Sequence, residues 1–304
     1  MVVGGTGLVG NALVREWLRR GAAVTAATYH CHPSPDFQQL DMQDEAAVRR
    51  MIKEARPGVV AVPAANPHVD YCQLHPEETR RVNVDGTLNV ARACRDAGVP
   101  MVFFSSDYVF DGRREAYTEE DAPCPLNEYG RQKAEAEAGV LAASPRNLVI
   151  RTSGAYGWQW EPKNFVLQIR AKLAAREPMK VAADLSYNPT AADNLAEIVA
   201  DLCAAQAGGI YHVVGGERIG RHAFAVKVAK AFGLDESLLE PVSSTEFKSP
   251  TPRPRSSSLS TNRVRALTRA QLWTVDEGLR RMKESYAAWC EYAKRLPALA
   301  REAY

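Results

Sequence analysis

Short apolar runs alternate with amphipathic stretches through the first half of the chain. The apolar runs predict strands at Met1–Val3, Ala23–Tyr29, Val59–Pro63, Met101–Ser105 and Leu148–Thr152. Between them, apolar residues at helical spacing predict helices over Asn11–Arg20, Glu45–Ala55, Thr79–Gly98 and Asn127–Ala143. Strands that are separated by helices pair in parallel through crossovers, so we expect an α/β fold with a doubly wound parallel sheet.

The alternation of apolar and amphipathic stretches is less regular after Tyr156, and the pattern predicts fewer elements in the second half. Helices are expected at Asn164–Ala175, Leu195–Ala205, Arg221–Phe232 and Val275–Lys294, with a short strand at Ile210–Val214. The segment Pro241–Arg255 is rich in Pro, Ser and basic residues, which indicates an ordered loop or a lid. We therefore expect one domain over residues 1–155 and a smaller C-terminal α/β domain over residues 156–304, partly interleaved with the first.

The composition of the 304 residues is typical of a globular protein, with 46% hydrophobic and 24% charged residues. These fractions exclude a disordered, collagen-like or coiled-coil chain. Thirty-eight basic residues face 36 acidic ones, which gives a net charge of +2. This balance argues against nucleic acid or an anionic membrane as a partner.

The cysteines and the apolar runs bear on location and metal binding. None of the six cysteines lies within four residues of another, so the sequence contains no metal-type cysteine pair. We expect reduced thiols and no metal site. No apolar run approaches the roughly 20 residues that span a bilayer, and no secretory pattern precedes the first glycines. A cytoplasmic location is therefore expected.

Three glycines mark the turn between the first strand and the first helix. Gly4 permits the tight turn, Gly7 lets the backbone approach a pyrophosphate, and Gly10 lets the helix pack close to the strand. The first turn of the helix also offers free N–H groups to phosphates. Residues 1–155 are thus predicted to be a Rossmann-type NAD(P)-binding domain, and residues 156–304 a substrate-binding domain. The cofactor-binding candidates in this turn are Gly4, Thr6, Gly7, Leu8 and Val9.

The end of the second strand bears on the choice of cofactor. An NAD site usually has an acidic residue there, but this strand ends Thr28-Tyr29-His30. Without an acidic residue, the site permits the negative 2′-phosphate of NADP. We therefore favour NADP and keep NAD as the alternative. Tyr29 and His30 are candidate cofactor-binding residues. Asp41 and Met42 could hold the adenine by a carboxylate hydrogen bond and a thioether contact. The competing interpretation makes Asp41 a helix N-cap.

Three residues form the candidate reaction centre. Tyr129 and Lys133 are four residues apart on a predicted helix, which puts both side chains on one face. A tyrosine has a pKa near 10, and a neighbouring ammonium and a positive nicotinamide ring both favour its phenolate. Ser106 follows the fourth strand, at the end of the sheet where functional groups collect. We expect Ser106 and Tyr129 to hydrogen-bond a carbonyl oxygen.

Together, the glycine motif, Ser106–Gly112 and Tyr129–Lys133 resemble the extended short-chain dehydrogenases/reductases. The run Ser105–Gly112 is particularly similar to their dTDP-4-dehydrorhamnose reductase branch. Further similar stretches are Arg81–Val84, Pro125–Gly130, Arg151–Ser153, Asn188–Thr190, and Arg253-Pro254 with Ser257 and Leu259. The resemblance covers nearly the whole chain. The same pattern appears in the non-catalytic regulatory β subunit of methionine adenosyltransferase.

The resemblance implies an NAD(P)H-dependent reductase of a nucleotide-linked 4-keto-6-deoxysugar, with a homodimer among its expected partners. Tyr129 would be the proton donor, Lys133 its electrostatic partner and ribose anchor, and Ser106 the second hydroxyl at the carbonyl. Further cofactor contacts are implied for Ala64, Ala65, Asn83 and Ser105, and substrate contacts for Asp107, Tyr108, Asn164 and Arg253. Arg253 lies in the flexible basic segment Lys248–Arg255, which suits closing over a diphosphate.

Two other functions stay open at this point. A cofactor-binding regulatory subunit with little catalysis could keep the Tyr129–Lys133 pair. An epimerase or dehydratase of the same fold is a third function, but a dehydratase would want an Asp-Glu pair beside Ser106, where this chain has Asp107-Tyr108. The sugar itself stays undetermined, because the rhamnose-forming reductases usually carry Trp where this chain has Gly154.

Overall fold

The computed structural model describes residues 1–28, 37–160, 163–268 and 271–295. Its strands are β1 (Val2–Val3), β2 (Ala26–Thr28), β3 (Phe37–Gln39), β4 (Val60–Val62), β5 (Met101–Ser106), β6 (Leu148–Thr152), β7 (Ala155–Tyr156), β8 (Met179–Ala182), β9 (Ser186–Tyr187), β10 (Thr190–Ala191), β11 (Gly209–His212), β12 (Ile219–Gly220) and β13 (Leu239–Val242). Its α-helices are α1 (Leu8–Arg19), α2 (Glu45–Ala55), α3 (Val69–Leu74), α4 (Pro76–Arg80), α5 (Thr87–Ala97), α6 (Glu128–Ala143), α7 (Phe165–Ala174), α8 (Ala192–Ala204), α9 (Arg221–Phe232), α10 (Asn262–Leu267), α11 (Val275–Glu284) and α12 (Tyr286–Arg295). A π-helical turn covers Arg81–Gly86, and 3-10 turns cover Asp107–Val109, Glu236–Leu238 and Ser244–Glu246.

Within the described residues, seven strands form one parallel sheet in the order β11-β6-β5-β4-β1-β2-β3. The chain starts in the middle of the sheet and runs first to one edge and then to the other, which confirms the predicted Rossmann-type doubly wound fold. Strand β5 pairs with β6 so that Ser105 lies opposite Arg151 and Ser106 opposite Thr152. The residues that follow β5 and β6 therefore meet at the carboxyl edge of the sheet.

Successive residues of the sheet strands face two separate helical layers. On one face, α1 and α8 pack through side chains such as Leu13 and Leu195. On the other face, α2, α5 and α6 pack through side chains such as Ile52, Val90 and Val140. Because both faces are covered, the strands are continuously apolar rather than alternating.

The second half of the chain contributes to both parts of the molecule. Helix α8 covers one face of the sheet, and β11 extends the sheet beside β6. The remaining elements build a second core, in which α7, α9 and α11 pack around the parallel pair β8–β13 through Ile169, Phe224 and Leu279. The division at residue 155 stays a prediction, and α8 and β11 are the elements that interleave the two parts. In the described part of the chain, no helix is long and apolar enough to cross a membrane.

Some predicted elements differ from the structure. Strand β3 was not predicted, because only Phe37 of its three residues is buried and no apolar run results. The predicted helix Thr79–Gly98 is interrupted by the π-helical turn Arg81–Gly86. The predicted terminal helix divides at Ser285 into α11 and α12, and the segment Pro241–Arg255 begins with the end of β13.

We expect Gly10→Ala to destabilise the fold. A Cβ atom at this position would lie 2.0 Å from the carbonyl oxygen of Gly4 and 2.8 Å from its carbonyl carbon. Overpacking of this kind typically costs about 1–3 kcal/mol. Gly58→Ala is the control, because nothing lies within 4 Å of a Cβ atom there. Thermal unfolding should give a lower Tm for Gly10→Ala than for Gly58→Ala, and equal values would contradict the close approach.

Candidate active site

The carboxyl ends of β5 and β6 open onto a cavity of about 200 Å³. Its wall includes the turns after both strands, the start of α6 and parts of the second half of the chain. Among its lining residues are Ser106, Asp107, Tyr108, Tyr129, Ser153, Tyr187 and Arg221. Two of the three predicted reaction-centre residues therefore share one cavity, although they are more than twenty positions apart in sequence.

The start of α6 packs directly on the turn that follows Ser106. Asn127 caps the helix, since its side-chain oxygen accepts a hydrogen bond from the Gly130 N–H at 2.9 Å. A Cβ atom at Gly130 would lie 2.1 Å from the carbonyl oxygen of Tyr108, so glycine permits this close approach. As a result, the Tyr129 and Tyr108 rings lie edge to face with centroids 6.3 Å apart.

Ser106 and Asp107 belong to a buried cluster of hydroxyl groups. Ser106 donates to Asp107 Oδ1 at 2.9 Å and accepts from the Tyr108 N–H at 3.2 Å. Ser153 and Ser257 donate to Asp107 Oδ2 at 2.7 and 2.5 Å. Burial raises the pKa of Asp107, and the three hydroxyls oppose that rise. Asp107 lines the cavity as predicted for a substrate contact, but both of its oxygens are engaged by serines.

Lys133 lies one turn beyond Tyr129 on α6 and is buried. Its Nζ donates to the carbonyl oxygen of Phe104 at 2.9 Å. It lies 4.7 Å from the centre of the Phe103 ring and 5.8 Å from the centre of the Tyr129 ring. Burial lowers the pKa of Lys133 to about 8, against an opposing effect of the nearby Glu137. The amine is therefore protonated at neutral pH.

The pKa of Tyr129 moves in the opposite direction from the one we expected. Burial raises the pKa of this phenol well above its ordinary value, the charge of Asp107 raises it further, and the hydroxyl of Ser106 opposes the rise. We expected the ammonium of Lys133 to favour the phenolate, but in this arrangement burial outweighs any such effect. A phenol that stays protonated at neutral pH suits a proton donor.

The glycine turn fits a pyrophosphate. Gly4 has a φ of +94°, and a Cβ atom there would lie 2.9 Å from the backbone of Ala64, so the turns after β1 and β4 are in contact. Helix α1 begins after Gly7, which provides no capping side chain, and its first turn at Leu8 and Val9 contains no acidic residue. The N–H groups of this turn are left for a negative ligand, which the helix dipole also favours.

The end of β2 is connected to the glycine turn. The hydroxyls of Thr6 and Thr28 lie 2.8 Å apart and form a hydrogen bond. Tyr29 and His30, the candidates for distinguishing NADP from NAD, lie outside the described residues.

Asp41 and Met42 lie beyond β3. The carboxylate of Asp41 accepts a backbone N–H two residues further on at 2.9 Å. The interpretation of Asp41 as a helix N-cap is wrong, because Asp44 caps α2 by accepting the Ala47 N–H at 3.0 Å. Met42 is buried in the core beneath the sheet, so its contact with adenine stays a prediction, as does that of Asp41.

Ala64 and Ala65 begin the loop after β4, and Asn83 holds that loop in place. The fully buried Asn83 accepts the Asn66 N–H at 2.8 Å and donates to the Asn66 carbonyl oxygen at 3.2 Å. It also donates to Gln132 of α6 at 2.9 Å. Asn83 therefore connects the loop to the helix of the reaction centre, and the cofactor contacts of these three predicted residues stay predictions.

Two buried hydroxyls at the carboxyl ends of the central strands have no hydrogen-bond partner in the described part of the chain. They belong to Ser105 on β5 and Thr152 on β6. Buried polar groups normally have partners, so both groups fit contact with a bound ligand. Ser105 is one of the predicted cofactor contacts.

Two predicted substrate contacts are engaged elsewhere. Arg253 forms a bidentate ion pair with Asp70 of α3, at 3.1 and 3.0 Å. Asn164 caps α7 by accepting the Leu167 N–H at 3.3 Å. Neither side chain is among the described residues that line the cavity, so their substrate contacts stay predictions without support from this geometry. No group of three or more His, Cys, Asp or Glu side chains within the described residues could hold a metal ion.

Tyr187 and Arg221 are among the residues of the cavity wall that were not identified from the sequence, and Gly154 lies beside Tyr187. Gly154 has a φ of +50°, and a Cβ atom there would lie 2.3 Å from the Tyr187 ring. The Arg221 guanidinium stacks 3.7 Å from the centre of the Phe165 ring and forms no ion pair among the described residues. One signal was available, because Arg221 begins a predicted helix, where the dipole disfavours a cation.

Comparisons with known proteins find relatives along nearly the whole chain. The family model described as the RmlD substrate binding domain matches residues 1–288. The dTDP-4-dehydrorhamnose reductase of Streptomyces griseus is 33% identical over 97% of this chain and 95% of its own length. The methionine adenosyltransferase 2 subunit beta of Bos taurus is 28% identical over 88% of this chain and 81% of its own length.

A solved structure with the same arrangement contains a cofactor. It is the dTDP-4-dehydrorhamnose reductase of Bacillus anthracis str. Ames in complex with NADP, with a TM-score of 0.83 and 28% identity. The match covers 93% of this chain and 98% of that one.

We expect Lys133 to give the free energy of unfolding a distinct pH dependence. The unfolded amine keeps a pKa of 10.5, whereas the folded value is about 8. The penalty for burying the ammonium is fully present below pH 8 and disappears as the pH rises to 10.5. It amounts to on the order of 3 kcal/mol. Denaturant unfolding from about pH 7 to about pH 10 should therefore show wild type gaining stability relative to Lys133→Met. A constant difference would contradict the lowered pKa.

Proposed function

The chain belongs to the RmlD substrate binding domain family, and from this premise we propose that it reduces a nucleotide-linked 4-keto-6-deoxysugar with NADPH. It is an NAD(P)-dependent oxidoreductase of this family. The observation that carries the proposal is that Ser106 and Tyr129 line one cavity at the carboxyl edge of the sheet, with Lys133 one turn behind. Two hydroxyls and a nearby cation suit a carbonyl oxygen that becomes an alkoxide.

The cofactor has a suitable place beside this cavity. The uncapped first turn of α1 at Leu8 and Val9 would hold the pyrophosphate, and Lys133 would contact the ribose. Ser105 offers a buried hydroxyl that lacks a protein partner among the described residues. When bound there, NADPH supplies a hydride to the keto carbon of the sugar.

The proton comes from the chain itself. Tyr129 donates its phenolic proton to the oxygen on which negative charge develops, and its raised pKa ensures that the proton is present at neutral pH. The hydroxyl of Ser106 stabilises the same oxygen. Lys133, with its charge 5.8 Å from the centre of the tyrosine ring, offsets the negative charge that remains on the phenolate.

Arg221 is suited to the anionic part of the substrate. Its guanidinium lies at the cavity wall, stacked on Phe165, and has no carboxylate partner among the described residues. A guanidinium held rigid by an aromatic ring can bind a diphosphate through two hydrogen bonds. Arg221, rather than the Asp70-bound Arg253, is therefore our proposed diphosphate contact.

The alternative function is a cofactor-binding regulatory subunit with little catalysis. It is favoured by the similarity to methionine adenosyltransferase 2 subunit beta over 88% of this chain. The test is NADPH oxidation, followed by absorbance, with a panel of nucleotide-linked keto-sugars. Oxidation with one of them supports the reductase. No oxidation with any, together with capture of a methionine adenosyltransferase, supports the regulatory subunit.

The proposal also includes a cytoplasmic homodimer. Light scattering of the purified protein measures the mass, for which twice 33.4 kDa is expected.

We expect Tyr129→Phe to lower kcat by about 10²–10⁴-fold, because the variant has no proton to donate. NADPH binding, measured by nucleotide fluorescence, should remain. Tyr211→Phe is the matched control, since it removes the same hydroxyl group from a tyrosine that lies on β11 and does not line the cavity. Unchanged turnover in Tyr129→Phe would rule out the mechanism.

We expect Arg221→Met to raise KM for the nucleotide sugar by about 10–100-fold, the worth of one hydrogen-bonded charge. The value of kcat should change little, because the diphosphate does not alter during the reaction. Arg218→Met is the control. Arg218 lies on the same segment as Arg221, but it forms an ion pair with Glu115. If both variants keep the wild-type KM, Arg221 does not bind the substrate.

A further inference from the structure

Asp107 brings together three serine hydroxyls from distant parts of the chain. Ser106 ends β5, Ser153 follows β6, and Ser257 comes from the second half, 150 positions beyond Asp107. The carboxylate is 4% exposed. Within the described residues it forms no ion pair, so its charge is stabilised by these three hydroxyls together with a backbone hydrogen bond.

Ser257 is held in a fixed position. Its backbone N–H donates to the Ser186 carbonyl oxygen at 3.1 Å. Two residues later, the Leu259 N–H donates to Asn188 Oδ1 at 3.1 Å. The segment that carries Ser257 is thus anchored to the strand region of the second half, and the 2.5 Å bond to Asp107 connects that region to the carboxyl edge of the large sheet.

Building on the proposed reductase function, we propose that Ser257 is a positioning residue that acts through Asp107 and keeps the hydrogen of the catalytic Ser106 hydroxyl available to the substrate. Ser106 can donate to the substrate oxygen only when its hydrogen leaves Asp107 Oδ1. How firmly Asp107 holds that hydrogen depends on how well Ser153 and Ser257 satisfy the other carboxylate oxygen. Without the Ser257 hydroxyl, the carboxylate binds the Ser106 hydrogen more firmly and makes it less available to the alkoxide.

Ser257→Ala should therefore lower kcat about tenfold, the worth of one hydrogen bond to a charged group, while KM for the nucleotide sugar stays within about twofold. Ser258→Ala is the matched control. Ser258 is the next residue and is equally buried, but its hydroxyl accepts the Ala116 N–H at 3.0 Å instead of contacting Asp107. Its kcat should equal that of wild type, and both variants should keep wild-type NADPH binding.

A double-mutant cycle separates the route through Asp107 from a general effect on structure. Ser257→Ala should lose its effect on kcat when it is made in the Asp107→Asn background, because the charge that it acts through is gone. Should Ser257→Ala lower Tm, Ser257→Cys takes its place in the cycle. Cysteine is similar in size and a weaker donor, so an intermediate kcat is expected.

The outcomes are distinct. A fall in kcat that disappears in the Asp107→Asn background supports the proposal. A rise in KM alone overturns it, because that result marks a direct substrate contact. An equal fall in kcat in the wild-type and Asp107→Asn backgrounds also overturns it. A wild type that oxidises no NADPH with any keto-sugar overturns the reductase function and this inference together. An active wild type with equal kcat for Ser257→Ala and Ser258→Ala overturns the inference alone.

Discussion

The pairing of β5 with β6 is the constraint on which the candidate active site depends. All six residues of β5 are buried, and the register places Ser106 opposite Thr152. The residues that follow, Asp107 and Ser153, are therefore neighbours and form a hydrogen bond of 2.7 Å. A shift of one residue would turn Ser106 to the other face of the sheet. Apolar packing in the sheet thus decides the geometry of the polar cluster at its edge.

A buried ion pair fixes the helix that carries the reaction centre. Arg151 of β6 donates to Glu137 of α6 at 3.0 and 2.7 Å, and both side chains are almost fully buried. Glu137 is two turns beyond Tyr129, so the pair sets both the rotation and the position of α6 along the sheet. Removing one partner of such a pair usually costs about 3–5 kcal/mol, because the other charge is left buried. Next to it, burial and the charge of Arg151 lower the pKa of His212 to about 3, which keeps that imidazole neutral.

Burial shifts the pKa values of Tyr129 and Lys133 in opposite directions, and the physical reason is the same for both. A site shielded from water disfavours any charge, so the pKa of Tyr129 rises and that of Lys133 falls to about 8. In the proposed reaction, the phenol keeps its proton until a stronger base, the developing alkoxide, is beside it. Outside the lining of the cavity, the partly exposed guanidinium of Arg253 keeps its charge in an ion pair with Asp70.

The sequence by itself determined the doubly wound sheet, the glycine turn and the grouping of Ser106 with Tyr129, because each is encoded by short-range spacing or by its place at a strand end. Tertiary structure alone decided that Arg221 and Ser257 both line the cavity and that Arg253 pairs with Asp70 instead. These contacts join residues far apart in the chain, and no local periodicity records them. The same reason explains the raised pKa of Tyr129, since burial is a property of the packed molecule and not of the four-residue spacing from Tyr129 to Lys133.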